Sequence, residues 1–599
     1  MIDLVESFNA AFRLQQEGRL AEAETLYRAV LDAAPEHPGS HHLLGLVEHQ
    51  LGRHDAALQS IKRAVALNGE EPNYHNNLGT VYRTLGKIDE AIACYRYAVG
   101  LRPDFAAAFN NLGIALLEKR DYAQAQRAVE RALEAKPDYA AAWFNLGNVL
   151  ALRDEHAKAV AHYRQALAFD PTYIDALNNL GAALNELGQN EEAASCYQRV
   201  LTLQPGNAAA HNNFGRVLAQ RDELDAAIGH FREAIALQPQ ALDAHINLGN
   251  VLLERGDAAA AHQSYERALA LDPTHESAHW NDGLALLVQG DLAEGFRRWR
   301  YNVAAAKRFG APEWRGEELN GATILIHAEQ GFGDAIHFAR YIPMVAARGG
   351  RVIFEAPIEL HRVFAALEGV DELVAFGDRL PDFAWQCPLL SLPLAFDTTL
   401  RNAPDTVPYL TADAESVEFW QRRMAGPEFK VGLVWAGRPE HKRDRHRSMA
   451  LAELAPLASI PNVAFYALQK GAAVGEAEHA PPGMRLEILS PLLGDFADTA
   501  AAIMALDLVI TVDTSVAHLA GALGKPVWIL NAYAPDWRWL EHRSDSPWYP
   551  TAELFRQDAS RRWAPVVNDV AAELRALAAG NPAAETRAGE DQAKISRIA

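Results

Sequence analysis

Through the first half of the chain, apolar residues return every three to four positions, in short runs that end on a proline or a glycine. This spacing predicts amphipathic helices of about a dozen residues. The runs themselves repeat. Pro35, Pro103, Pro137, Pro171, Pro205, Pro239 and Pro273 fall on one 34-residue grid, with Gly69 filling the remaining position. Gly45, Gly79, Gly113, Gly147, Gly181, Gly215, Gly249 and Gly283 share that period, and twelve residues after each glycine up to Gly249 stands an alanine, from Ala57 to Ala261. Glycine and alanine let two helices of a hairpin approach closely. Proline after a stretch such as AIALQ or ALALD stops the second helix and opens the next hairpin. The pattern predicts an all-α solenoid over residues 1–305.

These positions resemble the tetratricopeptide repeat, with about eight full copies and a weaker ninth from Glu276. One hairpin cannot bury its apolar face alone, so such arrays fold by stacking and leave a long groove. The resemblance implies a polypeptide partner in that groove. Asn77, Asn111, Asn145, Asn179, Asn213, Asn247 and Asn281 keep the same period on the first helix of each hairpin. A carboxamide offers both donor and acceptor, which suits an extended peptide backbone and equally suits a bridge between neighbouring hairpins. A similar asparagine ladder occurs in the repeat half of O-linked N-acetylglucosamine transferases.

After Gly290 the pattern decays: Gly295 replaces the expected alanine, and FRRWRYN brings aromatic and basic residues. Residues 306–321 read as a connector, with Trp299 and Trp314 able to pack it against its neighbours. From Ala322 short apolar strands alternate with helices: ATILIHA, a helix from about Ala335 to Arg348, RVIFEA, and a helix near Glu359 to Leu367. A second series runs through KVGLVWAG, VAFYAL, DTAAAIMAL, DLVITVD, SVAHLAGALG and PVWIL, after a break near Pro404 to Gly426. Two βα series predict two Rossmann-like lobes, residues 322–410 and 411–580. Residues 581–599 lack periodicity and are expected to be a disordered tail.

Charge and cysteine usage narrow the functional classes. With 56 Lys plus Arg against 77 Asp plus Glu, a net charge of −21 disfavours general nucleic-acid binding, so any anion site must be local. Cys94, Cys196 and Cys387 cannot staple a chain of this length; the first two lie 102 residues apart, three repeat periods, and read as core thiols of a reducing compartment. No apolar run is long enough to span a bilayer, and MIDLVESFNA lacks the layout of a signal peptide. The expected location is the cytoplasm.

In open α/β sheets ligands bind at the carboxyl ends of strands. The loop AEQGFGD offers Gly331 and Gly333 for a tight turn and Asp334 at a helix start, a position where Asp often serves as a simple N-cap. The loop AGRPEHKRDRHRS places Arg438, Lys442, Arg443, Arg445 and Arg447 after a buried strand, which suits a phosphate group. In VDTSVAHLAGALGKP, Asp513 ends a strand while Thr514, Ser515 and His518 open a helix whose N–H groups form a ready anion site. Tyr533, Trp537 and Trp539 either stack on a ligand ring or close the core. No Asp-x-Asp ends a strand and no His/Cys/Glu cluster has ligand spacing, so no metal or cofactor is expected.

Gly333-Asp334 and Asp513-Thr514-Ser515 with His518 give residues 322–570 a resemblance to bacterial lipopolysaccharide heptosyltransferases. The resemblance implies a GT-B-like module and a metal-independent, inverting transfer from a nucleotide-sugar co-substrate. It makes Asp334 the catalytic base, while Gly331, Gly333, Arg447, Asp513, Thr514, Ser515 and His518 contact the donor. The first lobe is shorter than in that family, and a repeat array accompanies it. By analogy with the N-acetylglucosamine transferases, that architecture points to a polypeptide acceptor. Two other readings are a repeat scaffold with a vestigial transferase lobe and an envelope-polysaccharide transferase that docks through its repeats.

Overall fold

The computed structural model describes residues 4–301, 308–440 and 444–580. They form two compact units, Met1–Pro239 and Gln240–Ala599. The tail expected at 581–599, with Lys442 and Arg443 of the basic loop, lies outside the described residues.

The first unit is seven helix hairpins, from Leu4–Gln16 with Leu20–Ala33 to Ala208–Gln220 with Leu224–Leu237. Each glycine of the 34-residue grid in this unit sits against the side chain sixteen residues on. A Cβ on Gly147 would stand 2.5 Å from Tyr163, and one on Gly215 would stand 2.7 Å from Phe231. Tyr95, Tyr163 and Tyr197 are thereby fully buried between helices. The turn inside each hairpin needs one left-handed residue. Gly18, Gly52, Gly86 and Gly188 fill it, but Arg120, Asp154 and Asp222 take φ of 59°, 59° and 63° at the same grid position.

The second unit continues the period with two hairpins, Leu242–Arg255 with Ala258–Leu271 and Glu276–Gln289 with Leu292–Trp299. The last helix stops early because its inner face is claimed by the α/β part: Phe296 and Trp299 share a core with Trp537, Phe338 and Tyr341. The connector is not a free link. Trp314 donates its N–H to Gln386 O, Gln386 donates to Pro312 O, and Phe309 covers Leu325, Ile353 and Val374. Residues 312–314 therefore extend the edge of the first sheet.

That sheet contains β1 (Thr323–His327), β2 (Arg351–Ala356), β3 (Glu372–Ala375) and β4 (Trp385–Pro388), all parallel in the order β3-β2-β1-β4. The single helix expected over Ala335–Arg348 is broken into α1 (Phe332–Phe338), a 3-10 turn, and a short helix Ile342–Ala346 with Pro343 in its first turn. The second sheet contains β5 (Phe429–Val434), β6 (Val463–Ala467), β7 (Leu486–Ile488), β8 (Leu508–Val512), β9 (Val527–Asn531) and β10 (Ala552–Arg556). Its order, β7-β6-β5-β8-β9-β10, is the doubly wound arrangement, with its switch point between β5 and β8. The break expected at 404–426 holds a helix, α2 (Ala414–Arg423), which packs on α3 (Phe496–Met504). Tyr409 and Leu410 both donate to Ala522 O at the end of α4 (Ser515–Ala522), so the segment straps one lobe to the other. The unit ends in α5 (Trp563–Ala578).

Candidate functional site

Three strand-end loops of the second unit meet at the switch point. After β5 the backbone leaves the sheet under the clamp of Gln469, whose Oε1 accepts from Trp435 N and Ala436 N and whose Nε2 donates to Ala436 O. Ser448 Oγ accepts from Gly437 N, and Arg447 pairs with Asp444 at 3.2 Å. Gly437 lies against this pair: a Cβ there would stand 2.5 Å from Asp444 Oδ1 and 2.7 Å from the Arg447 guanidinium. Arg445 and His446 of the same loop turn away to Glu254 on the eighth hairpin, at 3.3 and 3.2 Å. Arg438 lies over the Phe332 ring.

After β8, Asp513 stands in the field of Asp536, Arg447 and Arg538, and Thr514 is the N-cap residue of α4. Thr514 Oγ1 bonds Thr511 Oγ1 at 3.1 Å and makes no cap to α4, so no side chain caps the first N–H groups of that helix. After β1, Asp334 caps its own turn by accepting from Gly331 N at 3.1 Å. Gly333 lies against α4: a Cβ there would stand 3.1 Å from His518 and 3.7 Å from Ser515. The fold thus brings Gly333, Asp334, Ser515 and His518 together across the junction of the two lobes.

The residue that joins them was not singled out by the sequence. Arg538, buried in DWRW after β9, pairs with Asp334 and with Asp536. Its Nε makes no hydrogen bond. The signal available was an arginine flanked by two tryptophans at a strand end, which the sequence presents only as an aromatic stack. Burial pushes the Asp334 carboxyl up from the ordinary range, and Arg538 opposes that shift. Burial likewise raises Asp513, with Asp536 adding to the shift and Arg447 opposing it. Trp537 and Trp539 close the core, whereas Tyr533 is exposed and lies by Gly256.

Each ladder asparagine is half-buried. The Nδ2 groups of Asn111, Asn145 and Asn179 donate to Asn76, Asn110 and Asn148 of the preceding hairpin at 2.8–3.0 Å. Asn77 contacts His42 at 2.8 Å, and Asn281 donates to Asn250 at 2.9 Å. Asn213 accepts from Asn212 at 3.4 Å. The bonds of Asn77, Asn111, Asn145, Asn179 and Asn281 fill the bridging role of the two open to the ladder, while that of Asn213 stays within its own helix. Between the fifth and sixth hairpins lies a pocket of about 300 Å³ lined by Asn148, Ala151, Leu152, Tyr163, Asn179 and Ala182.

His262, Glu266 and Asp282 also come together, although no ligand-type spacing marked them in sequence. Arg298 pairs with both carboxylates, and His262 bonds Asp282 at 2.6 Å. The three cysteines are free. Among the described residues no helix is long and apolar enough to cross a membrane.

Tetratricopeptide-repeat models match residues 9–72, 79–120, 111–174, 172–240 and 249–290, so these segments carry tetratricopeptide repeats. Protein FlbA of Caulobacter vibrioides is 28% identical over 304 residues, 46% of this chain and 50% of that protein. The chain thus spans about half the length of the curated relative it matches. Among solved structures, YrrB, described as a TPR protein with an unusual peptide-binding site, is 25% identical over 31% of this chain and 95% of its own, with a TM-score of 0.27. The APC/C hetero-tetramer Cut9-Hcn1 is 19% identical over 45% of this chain and 52% of its own, with a TM-score of 0.38.

Proposed function

We propose that the α/β part of the second unit is a metal-independent, inverting glycosyltransferase whose polypeptide acceptor is recruited by the repeats. The observation that carries this reading is the junction at the switch point. There Asp334 from one lobe meets Arg538 from the other, beside the start of α4 that no side chain caps, with Arg447 in the field of Asp513. Doubly wound sheets bind nucleotides at such a point, and a helix start with two arginines supplies the positive charge a departing nucleotide needs. Asp334 takes the proton of the acceptor hydroxyl, and its raised proton affinity suits a general base.

One Asp334 oxygen is held by Arg538 and the other by Gly331 N. That observation favours the rival reading of a scaffold with a vestigial lobe unless an anionic donor draws Arg538 away. Incubation with a panel of nucleotide-sugars, reading released nucleotide, separates the two. Asp334→Asn is expected to lower turnover by roughly 10²- to 10⁴-fold with nucleotide affinity nearly kept. A wild-type chain that binds no nucleotide and releases none would leave the scaffold reading standing.

A further inference from the structure

His337 on α1 and His518 on α4 face each other where the lobes meet, with ring centroids 5.3 Å apart. Tyr549 stands between them: its hydroxyl oxygen is 3.1 Å from His337 Nδ1 and 3.0 Å from His518 Nδ1. All three are buried. A phenol has one hydrogen to give and lone pairs with which to accept. Tyr409 also stands by the phenol, but its hydroxyl donates its hydrogen to Ile336 O and accepts from Arg340. With its two close partners being imidazole nitrogens, Tyr549 gives its hydrogen to one, and the other donates Nδ1–H to the phenol oxygen.

The surroundings decide which does which. His337 Nε2 is enclosed with no partner. A hydrogen there would be a buried donor with no acceptor, whereas a hydrogen on Nδ1 is used by Tyr549. His337 then donates from Nδ1, Tyr549 donates to His518 Nδ1, and His518 carries its one hydrogen on Nε2. Burial holds both imidazoles neutral, with Arg340 and Arg538 acting in the same direction. The His518 ring is stacked on Trp539 at 13° and 5.2 Å, which fixes where Nε2 stands. That atom lies beside Gly333, 3.7 Å from where a Cβ would be, and near the start of α4.

We propose that Tyr549 and His337 are positioning residues that set His518 as its Nε2–H tautomer, so that it donates a hydrogen bond to a phosphate oxygen of the bound nucleotide. The acceptor rests on the nucleotide-binding reading of this junction; the tautomer does not. The arrangement supplies a donor that adds no charge to a place already holding Arg538 and Arg447, and one that cannot turn away.

Neutron diffraction from the deuterium-exchanged full chain reads the tautomer directly. Deuterium is expected on His518 Nε2 and His337 Nδ1, and a bare His518 Nε2 overturns the proposal. Calorimetric titration with nucleoside mono- and diphosphates reads the consequence. Tyr549→Phe keeps the ring but removes the director, and should weaken binding about tenfold, the worth of one hydrogen bond to an anion. His518→Gln, whose amide N–H stands where Nε2–H stands, should bind better than His518→Asn. In the His518→Gln chain no tautomer remains to be set, so adding Tyr549→Phe should change nothing. An equal loss in both backgrounds makes Tyr549 a packing residue and overturns the proposal. If deuterium sits on Nε2 and no nucleotide binds the wild-type chain, the nucleotide reading fails, and the phosphate acceptor fails with it.

Discussion

Buried ionisable side chains of the α/β part tie stability to pH in two directions. His327, His337 and His518 are held below the ordinary imidazole value by burial, so the unfolded chain binds protons near pH 6.5 that the folded chain refuses. Their contribution is complete above pH 6.5 and is lost as pH falls below it. Asp334 and Asp513 are raised, so their contribution is present at low pH and lost as pH rises through their folded values. Three imidazoles against two carboxyls predict a lower guanidinium midpoint at pH 5.5 than at pH 7.5. Tryptophan fluorescence reads the right unit, because eleven of the twelve tryptophans lie between residues 240 and 599. A flat profile would mean the imidazoles titrate freely. At this scale the sequence shows Asp334 through its loop and cap spacing, yet conceals Arg538, whose partner stands 204 residues away. Tyr549 and His337 carry no local mark at all, since only the docking of two lobes makes them neighbours.

The hairpin is the element the sequence specifies most completely. Period, glycine contacts and proline breaks all act within 34 residues, so each can be read without knowing the rest of the chain. What the pattern leaves out is the left-handed turn, because Arg120, Asp154 and Asp222 mask a position held elsewhere by glycine. Arg120→Gly should stabilise the first unit by about 0.5–1 kcal/mol, the relief of the left-handed penalty less the entropy glycine adds to the unfolded chain. Thermal circular dichroism checks it, and an unchanged melt would show the arginine is not strained. The asparagine ladder takes the opposite sign. Replacing Asn111, Asn145 and Asn179 together by Ala removes three bridges at about 0.5–1.5 kcal/mol each, and should lower the melting temperature of the repeats. Unaltered melting with weakened peptide binding would return the ladder to the groove. The α/β elements were less legible: β3, β4 and β7 are three or four residues long, too short for a pattern of period two to stand out.

On the scale of the molecule, the 34-residue period and the compact units end at different places. The period runs to Trp299, while the units divide at Pro239. The reason is visible in the ninth hairpin, where Phe296 and Trp299 belong to the core built on Phe338 and Trp537. A chain ending at residue 239 should melt cooperatively as a helical protein, since each hairpin in it leans only on its neighbours. One ending at residue 305 should expose the apolar face of the ninth hairpin and bind a hydrophobic dye more strongly. Equal dye binding by the two would show that this face closes on itself. The sequence marks the end of a repeat, but a shared core is a property of surfaces that meet only after folding.

The contact of Glu254 with Arg445 and His446 makes the eighth hairpin a mechanical neighbour of the loop that carries Arg447. Arg561 adds a bond to Glu254 O at 2.9 Å. Work done on either side of such a joint is felt on the other, and thermodynamics requires the exchange to be even-handed. On the proposed function, whatever factor a nucleotide adds to the affinity of this hairpin for a polypeptide, the polypeptide must return to the nucleotide. Glu254→Gln loosens the joint while leaving both surfaces intact. It should therefore shrink that common factor toward one from both directions at once.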